Sequence, residues 1–281
     1  MELLKGAPAA KKITDELAKK TASFRRKPKI VFVRLGEEPD DLSYERAAMK
    51  RMEKIGAECK TLVLPRDAAE DRFLAELEEA NADPSVDGIL LFRPLPAHIS
   101  EKKAAAVLDP EKDLDCMSDL SLAAVFKGTE GFAPCTAEAV LTLLKHYGIP
   151  VAGKRAVVVG RSLVIGRPAA MLLMQENATV TVCHSRTEDL REVCREADIL
   201  VAAVGRPEMI DASYVKEGAV VIDVGIHVRE DGSLCGDCDF ASVSAKASYT
   251  TPVPGGVGAV TTAVLAQHLV RAYGRREGEK A

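Results

Sequence analysis

Val157-Val158-Val159-Gly160-Arg161-Ser162-Leu163-Val164-Ile165-Gly166-Arg167-Pro168 decides the fold. A β-branched run ends in a glycine. A small residue, a second glycine and a proline suited to the first turn of a helix follow it. Such a strand-to-helix turn lets the backbone approach a pyrophosphate, and the helix N-terminus offers free N–H groups and positive dipole. The spacing is Gly-x-Ser-x-x-x-Gly, one residue longer than Gly-x-Gly-x-x-Gly, so the motif alone is a weak signal. Its context is the stronger one. Strands are predicted at 156–159, 179–183, 199–203 and 219–224, with helices starting near Gly166-Arg167-Pro168 and Thr187-Glu188-Asp189.

Upstream the same alternation recurs. Strands are predicted at 29–35, 59–64 and 87–92, and helices at 44–55, ended by Gly56, and at 68–81. Pro94-Leu95-Pro96 reads as extended chain, 260–273 as a helix with one apolar side, and 274–281 as a charged, frayed tail. The pattern is that of an α/β protein with largely parallel sheets, and 281 residues leave room for two domains.

Composition narrows the function. With 47% hydrophobic and 28% charged residues the chain reads as globular, and a net charge of −4 gives no reason to expect nucleic acid or an anionic membrane as partner. Neither a signal-peptide pattern nor an apolar run of about 18–20 residues is seen, so a cytoplasmic protein without a membrane span is expected. Seven cysteines without a secretory signal read as reduced thiols. Cys235-Gly236-Asp237-Cys238 lacks the second ligand pair of a zinc site and is read as a turn between short strands; no metal is expected.

Roughly 20 residues after the glycine loop, an NAD enzyme places a carboxylate on the ribose 2′-hydroxyl. Here Cys183-His184-Ser185-Arg186 stands, and the first carboxylate is Glu188. Ser185, Arg186 and Arg161 suit a 2′-phosphate, which favours NADP over NAD; the plain alternative is that Arg186 is a solvated surface residue. Thr251-Pro252-Val253-Pro254-Gly255-Gly256-Val257-Gly258 is a second glycine cluster, either a ligand loop or a tight crossover.

These stretches, with Asp87-Gly88-Ile89-Leu90, Pro110-Glu111-Lys112-Asp113-Leu114-Asp115, Pro134-Cys135-Thr136 and Val221-Ile222-Asp223-Val224-Gly225-Ile226, occur in order over nearly the whole chain. In them the chain resembles the bifunctional methylenetetrahydrofolate dehydrogenase/cyclohydrolase family. The resemblance implies an N-terminal α/β folate domain (1–138, completed by the helix 260–281), a Rossmann-like NAD(P)-binding domain (139–259), a cleft between them, and a homodimer. It implies NADP contacts from Gly160, Arg161, Ser162, Ser185 and Ile226, to which the reading of the loop and of the second strand's end adds Gly166 and Arg186. It also implies a tetrahydrofolate site lined by Tyr44, Leu91, Phe92, Arg93, Asp115 and the loop Pro254, Gly255, Gly256, Val257, Gly258, with Tyr44 and Asp115 as the catalytic residues.

The folate half departs from the family pattern. The lysine four residues after the tyrosine is Ala48, the glutamine after the third strand is Phe92, and the leucine beyond it is Arg93. The serine before the tyrosine is Asp41, and the glycine after the second aspartate is Cys116. Hydride transfer needs mainly positioning, whereas hydrolysis of the methenyl product needs proton transfer, whose loss costs about 10²–10⁴-fold. The expectation is therefore dehydrogenase activity with weak or absent cyclohydrolase activity, unless Arg51 or Arg93 compensates. The alternatives are a paralogue with a changed substrate and a non-catalytic nucleotide-binding protein.

Overall fold

The computed structural model describes residues 1–278. Its first half runs β1 (Glu2–Leu3), α1 (Gly6–Thr21), β2 (Lys29–Leu35), α2 (Pro39–Lys54), β3 (Glu58–Leu64), α3 (Glu70–Ala82), β4 (Gly88–Leu91), α4 (Glu101–Val107), α5 (Asp119–Lys127) and α6 (Cys135–His146). The second half runs β5 (Arg155–Val159), α7 (Gly166–Gln175), β6 (Thr179–Cys183), α8 (Leu190–Arg195), β7 (Ile199–Ala202) and β8 (Val220–Asp223). It ends with β9 (His227–Val228), β10 (Leu234–Cys235), α9 (Phe240–Ser244), β11 (Tyr249–Thr250) and α10 (Gly258–Glu277). Two compact units result: Met1–Ala10 with Thr136–Thr261, and Lys11–Cys135 with the chain from Thr262 onward.

The first of these units carries a parallel sheet in the order β1-β11-β8-β7-β5-β6. Strand β5 lies between β6 and β7, so the strand order reverses there, and ligands of open α/β sheets bind at the carboxyl ends beside such a reversal. Val157, Val159, Leu200 and Val221 pack with Ile210 and Val243 on one side of the sheet. The first ten residues join this unit because Glu2 pairs with Tyr249 and Leu3 with Thr250. A two-residue strand has no periodicity, so nothing local in the sequence announces it.

The other unit is built on a three-stranded parallel sheet, β3-β2-β4. Ile30, Val31, Phe32 and Val33 of the central β2 are buried, and each large side chain so buried contributes about 1.5–3 kcal/mol. Asp87, at the entry to β4, is fully buried and paired. Its carboxylate accepts both Arg26 Nη atoms at 2.7 Å and the Lys29 N–H at 2.9 Å. Gly88 follows because a Cβ there would sit 2.3 Å from a Leu114 methyl. Beyond it, Ile89 exchanges backbone bonds with Lys112 and Leu114, which docks the 112–115 segment beside β4.

The largest differences from the sequence reading lie at the start of α2 and the end of α10. Helix α2 begins at Pro39, with Asp40 and Asp41 in its first turn, rather than at Tyr44, since proline and acidic residues both suit a helix start. Helix α10 continues past 273 to Glu277, held where Arg276 donates to the Val86 and Pro84 carbonyls and Glu277 pairs with Arg26. Of the tail expected to fray, 279–281 lie outside the described residues. Among the described residues, no helix is long and apolar enough to cross a membrane.

Candidate functional site

In the unit with the six-stranded sheet the Gly160–Gly166 loop folds back on itself. Gly160 has φ +137°, and a Cβ on Gly166 would lie 2.2 Å from the Gly160 carbonyl oxygen. The two glycines are thus required by each other's backbone. Ser162 closes the turn: its hydroxyl accepts the Ile165 N–H at 3.1 Å and the Gly166 N–H at 3.4 Å, and its carbonyl accepts the Arg167 N–H at 3.1 Å. The serine at the position of the usual second glycine therefore holds the turn that leads into α7, whose N-cap position is Ile165.

At the carboxyl ends of β5, β6 and β7 lies a cavity of 540 Å³ lined by Gly160, Arg161, Ser162, Ser185, His184 and Arg206, among others. Among the described residues, no carboxylate lines it, while two arginines do. That donor set fits a phosphate-bearing dinucleotide, and the absence of an acidic ribose partner fits NADP better than NAD.

Four of the expected cofactor residues, Gly160, Arg161, Ser162 and Ser185, are brought together there. Three are not on its wall. Gly166 is buried beneath Gly160; Arg186 is exposed, its N–H donating to His184 Nδ1 at 3.1 Å. Ile226 is exposed beside Gly258, where an added Cβ would meet its Cδ1 at 3.2 Å. The expected cap at Thr187-Glu188-Asp189 is not made either. Thr187 instead accepts the His184 N–H at 2.9 Å, and Asp189 adopts φ +48°. Arg206, His184 and Thr187 were missed by sequence reasoning, although Arg206 stands just past β7, where the strand-end rule places ligand contacts.

Loop 254–258 is fixed in the same unit. Val253-Pro254 is cis, Gly255 has φ +102°, and its carbonyl accepts the Gly6 N–H at 2.8 Å. A Cβ on Gly256 would meet the Pro252 carbonyl at 2.6 Å, and Val257 is buried. Upstream, the Thr251 hydroxyl bonds both the N–H and the carbonyl of Asp223, which ties the loop to the end of β8.

In the other unit, Leu91 and Phe92 close β4 as buried residues. The half-buried Tyr44 ring stands edge-on to Phe92, centroids 6.1 Å apart. Next to it, Arg93 Nη2 donates to Asp115 Oδ2 at 3.3 Å, and Asp115 Oδ1 accepts the Cys135 N–H at 2.8 Å. Tyr44, Phe92, Arg93 and Asp115 thus form one linked chain of contacts. Cys116 takes φ +56°, the left-handed conformation that favours glycine. Ala48 is 0% exposed. Arg51 donates to Thr14 Oγ1 at 2.7 Å, and burial lowers its pKa. Burial also raises the Asp41 carboxyl, helped by neighbouring Asp40.

Comparison with known proteins accounts for both units. The family description "Tetrahydrofolate dehydrogenase/cyclohydrolase, catalytic domain" matches residues 4–115, and its "NAD(P)-binding domain" counterpart matches 134–277. The chain is 49% identical over 275 residues to the bifunctional protein FolD of Clostridioides difficile, covering 96% of each. It superposes on the crystal structure of the bifunctional FolD enzyme of Campylobacter jejuni with a TM-score of 0.95, at 38% identity and covering 98% and 99% of the two chains. The Trypanosoma brucei enzyme, solved with NADP cofactor and an inhibitor, matches with a TM-score of 0.91 at 34% identity over 97% of each chain. With both halves matched in order and over nearly their full length, the chain belongs to the tetrahydrofolate dehydrogenase/cyclohydrolase family.

Proposed function

We propose that this protein oxidises 5,10-methylenetetrahydrofolate to the 5,10-methenyl form with NADP⁺, and that its hydrolysis of the methenyl product is weak. The observation that carries the first part is the carboxylate-free, two-arginine cavity built on the Gly160–Ser162 turn. Bound there, NADP⁺ supplies the hydride acceptor. Gly160, Arg161, Ser162 and Ser185 hold the dinucleotide, and Arg161 and Arg206 offset its phosphate charge. Ile226 and the loop Pro254 to Gly258 belong to the same unit and are assigned to the reacting end of the two ligands. Arg186 keeps a secondary role at most, as a solvated cation near the 2′-phosphate.

On the folate side, Asp115 is the acceptor for the amino-pyrimidine edge of the pterin, and Tyr44 with Phe92 provides an aromatic wall. Arg93 orients the Asp115 carboxylate. What this chain's residues supply for oxidation is position: the substrate nitrogen lone pairs drive hydride loss once the reacting carbons are held at near-attack distance.

The weak-hydrolysis reading rests on Ala48 and Phe92. An alanine that is 0% exposed and a buried phenylalanine cannot move a proton, and an arginine, always charged, is a poor general base. As partners, tetrahydrofolate derivatives fit the family, and a homodimer in the cytoplasm is the accompanying proposal. The test is spectrophotometric. Purified protein should reduce NADP⁺ when given methylenetetrahydrofolate, and should hydrolyse supplied methenyltetrahydrofolate at least about 10²-fold more slowly than it forms it. No NADP⁺ reduction sinks the first part; comparable rates of the two reactions sink the second.

A further inference from the structure

The Cys235-Gly236-Asp237-Cys238 stretch is not used by anything above, and its middle residue is the more informative one. Asp237 is 1% exposed and its carboxylate is saturated. Oδ2 accepts the N–H groups of Val204 at 2.7 Å and Gly205 at 3.2 Å; Oδ1 accepts the Arg206 N–H at 3.0 Å and His227 Nε2 at 2.8 Å. Three consecutive amides just past β7 are therefore gripped by one side chain. Two of those residues, Val204 and Arg206, line the cofactor cavity.

The grip is itself anchored. Asp223, at the end of β8, accepts the N–H groups of Gly225, Asp237 and Cys238 at 3.0, 2.9 and 2.9 Å. Burial raises its carboxyl pKa, and the bonds from Cys238 and Asp237 hold it down in part. Gly225 and Gly236 are glycines because a Cβ on either would fall within 2.4 Å of a carboxylate atom of Asp237 or Asp223. Two interlocked carboxylates at this point are thus built into the backbone path, and each has acceptor-only chemistry facing N–H donors.

We infer that Arg206 is a contact residue of the cofactor's phosphates and that Asp237, fixed by Asp223 and by His227, is its positioning residue. The inference rests on the proposed NADP reading of the cavity and adds to it the device that aims its second arginine. A glycine-containing loop at a strand end would otherwise have to be ordered when ligand binds, at an entropic cost to affinity. The Asp237 clamp removes that cost beforehand. The same geometry explains the sequence: an asparagine at 237 would turn an N–H donor toward backbone N–H groups.

Calorimetry of the full chain with NADP⁺ tests this, using wild type, Arg206→Gln, Asp237→Asn and the double variant. Arg206→Gln should raise Kd about tenfold, the worth of one charge-assisted hydrogen bond. Asp237→Asn should raise it comparably, with KM for NADP⁺ rising more than kcat falls. The double variant should be little worse than the poorer single one, since Asp237 acts through Arg206. If Asp237→Asn fails to fold, His227→Ala should weaken binding in its place and His227→Gln should restore it. A wild-type Kd retained by Arg206→Gln, or independent additive effects in the double variant, overturns the inference. Failure of the wild type to bind NADP⁺ overturns the cofactor reading instead.

Discussion

Position 48 shows how far one residue has travelled from the family pattern. Ala48 follows Tyr44 by one helical turn and has no exposed surface, so there is no open space waiting for a longer side chain. Ala48→Lys should therefore cost about 1–3 kcal/mol of stability through overpacking, with burial of an ammonium adding to it. Urea unfolding measures this, and a midpoint equal to wild type would show that the site has room after all. The thiols make a second residue-level prediction. Burial pushes Cys59 up to about 11 and Cys194 up to about 12, and it raises Cys116, Cys183 and Cys238 as well. Of the seven, Cys59 is the one not classed as buried. At mildly alkaline pH the native protein should react slowly with a thiol reagent, at Cys59 first, whereas the unfolded chain should titrate all seven. Five reactive thiols after unfolding would instead reveal a disulfide.

At the scale of elements, the Gly160–Gly166 turn is the most exacting piece of backbone. A methyl on Gly166 meets the Gly160 carbonyl oxygen at 2.2 Å, a backbone atom that cannot rotate away. Gly166→Ala should cost about 1–3 kcal/mol and should also weaken NADP⁺ binding, because relieving the clash displaces the turn carrying Arg161 and Ser162. Unchanged cofactor affinity would separate that turn from the binding site. This element was legible in the sequence, since strand, glycine and helix signals lie side by side in one short window. So were β2, β5, β7 and β8, whose β-branched runs are buried. Other parts were not. The short helices α4 and α5 span only seven and nine residues, too few to establish a period. The pairing of Asp237 with Val204, Gly205 and Arg206 joins residues 31–33 positions apart, and no local pattern encodes it. The sequence reading takes Arg186 from its place beside Ser185 and does not weigh Arg206, which joins the cavity wall from the end of β7.

For the molecule as a whole, the ionisable groups set a pH dependence that can be signed. Hydrogen bonds and cations hold several carboxyls below their ordinary values: Glu70 through Lys103 and the Ser100 N–H, Asp83 through Ser85, Asp198 through Lys216 and the Arg155 N–H, Asp211 through Ser213. For each of these the unfolded chain binds the proton first, so their stabilisation is present above the ordinary carboxyl range and is lost as pH falls through the folded values. Asp223 and Asp41 act with the opposite sign. Burial raises them, so the folded chain takes up their protons more readily and gains stability as pH drops toward the ordinary value. The opposed sets should leave stability nearly flat near neutrality. Below about pH 4 the lowered group dominates, because the raised pair is by then protonated in the folded state and contributes no further change. The urea midpoint should therefore fall between about pH 4 and pH 2, and a midpoint that held steady across that range would mean that these carboxyls titrate alike in the folded and unfolded chains.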